Sequence, residues 1–61
     1  MKYRVYFINH DYYSQEEFDT CNGAIAYGID KGFEFAVHYG SDVVASWGPI
    51  RGLWVQHPEV K

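Results

Sequence analysis

The sequence predicts an α+β two-layer sandwich, with one helix packed on a three- or four-stranded mixed sheet in the order β-α-β-β(-β). Three stretches predict it. Alternating β-branched and aromatic residues open the chain, a capped amphipathic stretch follows, and two further alternating runs flank Gly40-Ser41-Asp42.

Residues 2–9 read as the first strand. Tyr3, Val5 and Phe7 alternate with Lys2, Arg4 and Tyr6, so the odd positions form the better core face. Residues 9–13 form a polar and aromatic loop. Ser14 then reads as a helix N-cap, and Glu17 three residues later completes a capping box. The helix runs to about Lys31, with Gly32 as its stop. Phe18, Cys21, Ile25 and Ile29 recur at helical spacing and should face the sheet. Gly28 borders that stripe, which suits a close helix–sheet approach. Gly23 and Tyr27 should point outward.

Residues 33–39 and 43–47 predict a β-hairpin. A two-residue turn pairs Tyr39 with Asp42, and a three-residue loop pairs Tyr39 with Val43. The second register is preferred because it gathers Phe33, Phe35, Val37, Tyr39, Val43, Ala45 and Trp47 on one face. The Gly and Pro content of residues 48–52 marks a turn. Residues 53–55 add a short fourth strand or an extended tail, and 56–61 look frayed.

A helix joining the first two strands should make them run in the same direction. One helix covers one sheet face only. The other face should carry Arg4, Tyr6, Ile8, Glu34, Ala36, His38, Val44 and Ser46. That set is too mixed for a core and too apolar for a plain solvent face. Tyr6, Ile8, His38 and Val44 are therefore the candidate self-interface, with edge-to-edge strand pairing as the competing geometry.

Composition bounds the function. The 61 residues form one small α/β domain, 1–61, in which 48–61 is the turn plus short strand or tail. A domain this small is marginal alone, and the single cysteine, Cys21, excludes an internal disulfide. A homo-oligomer is the expected remedy. Twelve residues are aromatic, which suits both a compact core and a recognition surface. The net charge of −3 and pI near 5.4 argue against nucleic-acid binding. No apolar run approaches a membrane span, and no targeting segment is visible, so the expected compartment is the cytoplasm. For a phage gene that means the host cytoplasm.

Catalytic and metal chemistry find little support. His10, His38, His57 and Cys21 lack zinc-like spacing, and neither C-x-x-C nor H-x-x-x-H occurs. Cys21 sits on the core stripe, where a thiol is usually inert. Capping accounts for Glu16 and Glu17. Glu34 and His38 share a strand face but stand about 13 Å apart. No cofactor, metal or catalytic residue is assigned.

Two binding groups stand out. His10, Tyr12 and Tyr13 lie in the first loop, and two consecutive tyrosines are not needed to make a turn. Arg51 sits on a turn between Trp47 and Trp54, where it suits clamping an anion beside a stacked ring. The expected function is a non-enzymatic, small acidic interaction protein that binds a host or cellular protein. By analogy, phage accessory proteins have this general look. The alternative is a binder or sequesterer of a nucleotide-like small ligand, with these residues at a subunit interface.

Overall fold

The computed structural model describes residues 2–56. The elements are β1 (Tyr3–Phe7), β2 (Tyr12–Phe18), α1 (Cys21–Lys31), β3 (Phe35–Tyr39), β4 (Asp42–Gly48) and β5 (Gly52–Val55). The strands form one five-stranded sheet in the order β2-β1-β3-β4-β5. Every pairing is antiparallel. The expected frayed stretch falls largely on residues 57–61, which lie outside the described residues.

This corrects the fold class: the sheet has five strands rather than three or four, and it is antiparallel rather than mixed. The difference lies in residues 12–18, expected as loop and first helical turns but folded as β2. That extra strand reverses the chain before the helix. The first strand and the strand after the helix therefore run antiparallel as neighbours, with Val5 opposite Val37. The helix still joins two strands of the same direction. They are β2 and β3, and β1 lies between them.

Ser14 lies in β2, seven residues before the helix begins at Cys21. Its register with β1 shifts between Arg4 and Tyr6, leaving Val5 without a regular ladder partner on β2. The Ser14 hydroxyl accepts the Val5 N–H at 3.3 Å and donates to the Glu16 carbonyl at 2.9 Å. It is 2% exposed, the one buried polar side chain among the described residues. The true N-cap is Thr20, whose Oγ1 accepts the Gly23 N–H at 3.0 Å. Gly32 closes the helix with φ 78°, and its N–H reaches the Gly28 and Ile29 carbonyls.

The core lies between α1 and one sheet face. Val5, Phe7, Phe35, Val37 and Ala45 come from the sheet, and Ala24 and Ile25 from the helix. Burying side chains the size of Phe7 and Phe35 stabilises the fold by about 2–3 kcal/mol each. Phe7 is surrounded by rings, with Tyr12, Tyr27, Phe33 and Phe35 at centroid distances of 5.3–6.5 Å. The helix sits one step round from the expected stripe. Tyr27, expected outward, packs on the core with its ring 5.1 Å from Phe18, while Ile29 is 42% exposed. Phe18 reaches the core from β2 rather than from the helix.

The β3–β4 hairpin uses both registers considered from sequence. Tyr39 faces Asp42 and His38 faces Val43 across a two-residue turn. The register then shifts, and Val37 faces Ala45 and Phe35 faces Trp47, as the three-residue loop requires. The extra residue between is Val44. The bulge turns Val44 toward the core, where it packs, and leaves Val43 44% exposed opposite His38. Val43, not Val44, is thus the valine on the open face.

The helix contacts β1 to β4 and does not reach β5. Among the described residues nothing covers either face of β5, and Leu53, Trp54 and Val55 are each about half exposed.

Candidate functional site on the open sheet face

The face opposite the helix gathers residues from three strands. β1 supplies Arg4 and Tyr6, β2 supplies Tyr13 and Glu17, and β3 supplies His38. Strand register puts them side by side: Tyr6 faces Tyr13, Arg4 faces Glu17, and Arg4 also faces His38. The rings form a compact triangle. Tyr6 lies 4.9 Å from Tyr13 and 5.7 Å from His38, and Tyr13 lies 5.3 Å from His38. The Arg4 guanidinium stands 5.0 Å above the Tyr13 ring and 3.9 Å from the Glu17 carboxylate.

Polar contacts fix the triangle. The Tyr13 hydroxyl lies 3.3 Å from His38 Nδ1. Tyr6 donates its hydroxyl to Asp11, a contact that pushes the Tyr6 phenol up from its ordinary pKa. Asp11 holds φ 57°, a conformation Asp tolerates better than most side chains. The turn that places it is tied by the Asp11 N–H to the Phe7 carbonyl at 2.7 Å. Burial among the rings pushes the His38 imidazole below its ordinary value, so it favours the neutral form. The site is an aromatic patch with Arg4 over one ring and hydrogen bonds along its rim.

The other sequence candidates are spread over the molecule. His10 stacks against Phe33 at 4.5 Å, and Tyr12 turns toward Phe7 on the helix side. Consecutive strand residues point to opposite faces, so Tyr12 and Tyr13 part company. Ile8, 39% exposed, follows β1 and gives its N–H to the Glu34 carbonyl. Trp47 stacks on Phe35 at 5.8 Å on the helix side, whereas Trp54 faces Ser46 on the open side. The two tryptophans therefore do not flank Arg51. Arg51 instead donates to the Glu34 carboxylate at 3.2 Å, and Asn9 approaches the other Glu34 oxygen at 3.5 Å. Glu34 thus links the β1–β2 and β4–β5 turns. From β2 to β5 is about 19 Å across the sheet, so the tyrosine and Trp54 groups do not meet within one chain.

An open hollow of about 580 Å³ lies beside β2, lined by Tyr12, Tyr13, Ser14, Gln15, Glu16 and Tyr27. The Ser14 hydroxyl at its floor is already used by Val5 and Glu16. Cys21 lies on the helix, with the sheet between it and His38, and burial raises its thiol pKa. Among the described residues no three His, Cys, Asp or Glu side chains cluster to hold a metal ion. Among them, too, no helix is long and apolar enough to cross a membrane.

Sequence reasoning listed Arg4, Tyr6 and His38 on this face but missed Tyr13's place beside them. The available signal was the alternation of Tyr12, Ser14 and Phe18 with Tyr13, Gln15 and Glu17, which the capping-box reading of Ser14 and Glu17 masked. No protein-family model, curated protein or solved structure matches the chain.

Proposed function

We propose that the chain is a non-enzymatic interaction protein that binds another protein through the open face of its sheet. The observation that supports this is the Tyr6–Tyr13–His38 triangle with Arg4 beside it, on a face the helix leaves uncovered. Tyr and Arg are enriched where binding energy concentrates, because they offer large rigid contact area with polar tips. Here the tips are preorganised by hydrogen bonds within the fold, which lowers the entropy cost of docking. A reducing cytoplasm suits the free Cys21 thiol. The small-ligand reading has less support, since Arg51 is paired with Glu34 and the tryptophans lie on opposite faces.

The test is quantitative capture from the source cells with wild type, Tyr13→Ala, and Asp30→Ala on the helix as control. A partner enriched by wild type and by the helix variant, but lost with Tyr13→Ala, supports the reading. Enrichment indifferent to Tyr13, with circular dichroism showing an intact fold, overturns it.

A further inference from the structure

Among the described residues β2 and β5 are the unpaired edge strands of the sheet, and they differ. Natural edge strands are blunted by charges, prolines or bulges, because unpaired backbone groups invite another strand. β2 has such protection: Glu16 and Glu17 lie on it and its register is bulged. β5 has none. Residues 52–56, Gly-Leu-Trp-Val-Gln, carry no charge and no proline, and the β4–β5 register is unbroken from Ala45–Val55 to Gly48–Gly52. Leu53, Trp54 and Val55 are 51%, 49% and 45% exposed, and Ile50 beside them is 97% exposed.

Strand alternation says which backbone groups are free. The Gln56 N–H bonds inward to the Val44 carbonyl at 2.9 Å. Trp54 and Gly52, two and four residues back, have the same sense, so Leu53 and Val55 direct their N–H and C=O groups away from β4. We propose that this edge pairs with β5 of a second copy, antiparallel, about a two-fold axis at Trp54. Leu53 of one copy then faces Val55 of the other, and each such pair exchanges both backbone bonds. The Trp54 side chains meet at the non-hydrogen-bonded position on the axis, on the open face. Leu53 and Val55 cover one another on the helix side.

A second copy is the occupant that fits the polarity of the edge. A charged strand finds no counter-charge at residues 52–56, whereas an uncharged apolar strand finds matching surface on both faces. β5 is itself such a strand, and the register about Trp54 opposes no like charges. Pairing four-residue strands with their flanking turns buries an area at the low end of specific interfaces, below about 1,200 Å² in total. The dimer is therefore expected to be weak and concentration-dependent.

The experiment is amide hydrogen exchange by NMR on the wild-type chain at low and high concentration, beside sedimentation equilibrium. The expected result is dimerisation together with a several-fold rise in protection at the Leu53 and Val55 amides and none along β2. Val55→Lys should keep the far-ultraviolet spectrum and sediment as a monomer. A chain monomeric to millimolar concentration overturns the proposal. So does a dimer whose new protection falls on β2, or one that leaves the Leu53 and Val55 amides unchanged. Failure here leaves the open-face reading standing, because Tyr13 takes no part in the β5 pairing.

Discussion

The Phe35 ring lies so close to Gly28 that a Cβ built there would stand 2.5–2.6 Å from three ring carbons. Phe35 is fully buried and stacked on Trp47, so the ring has no room to retreat. Replacing Gly28 by Ala raises helix propensity by about 1 kcal/mol. Overpacking a rigid core typically costs about 1–3 kcal/mol. A contact this short falls at the upper part of that range, so Gly28→Ala should destabilise by about 1–2 kcal/mol net. Urea unfolding measures it, and a variant more stable than wild type would show that the helix is free to lift.

Ser14→Ala should cost about 1–3 kcal/mol, because it leaves the buried Val5 N–H without an acceptor. Thr20→Ala should cost about 1 kcal/mol through loss of the helix cap. Native-state exchange separates the two mechanisms. Ser14→Ala should speed exchange at Val5, and Thr20→Ala at Gly23. Faster exchange at the first helical amides in Ser14→Ala would contradict the assignment of Ser14 to β2.

His38 gives a pH dependence whose sign follows from its environment. Burial holds its folded-state pKa below the ordinary 6.5, and Arg4 sits opposite it in the ladder. The unfolded chain then binds the proton first as pH falls. Stability is complete above about pH 6.5 and declines as the pH drops through the lower folded value. Melting temperatures between pH 7.5 and 5 should fall for wild type and change less for His38→Gln. Equal slopes in both would remove His38 from the explanation.

The Cys21 thiol should react slowly. Burial at the start of α1 raises its pKa, which lowers the thiolate fraction. At pH 8 labelling with a thiol reagent should be several-fold slower than for free cysteine and recover in denaturing urea. Labelling at the free-cysteine rate in the folded chain would show that the start of α1 frays open.

Sequence alone determined the elements whose burial repeats without interruption. The alternation of Tyr3, Val5 and Phe7 marked β1, and Phe35 and Val37 marked β3. Gly32 marked the helix end through its αL conformation, and Gly28 marked the close approach to the sheet. Each is a local rule with one strong solution. Tertiary structure decided the rest. Ser14 with Glu17 satisfies a capping box as well as it satisfies a bulged edge strand. Only β1, by offering a ladder and the orphaned Val5 N–H, makes the strand win. The same holds for Val44, whose side the alternation assigned to the open face. A one-residue bulge at Val44 lets the hairpin join its two-residue turn to the register that places Val37, Ala45 and Trp47 on the helix side, and it changes the faces only of the residues on the turn side. The Tyr6–Tyr13–His38 patch followed from the first of these decisions, because Tyr13 comes onto the face only when residues 12–18 pair with β1 as a strand.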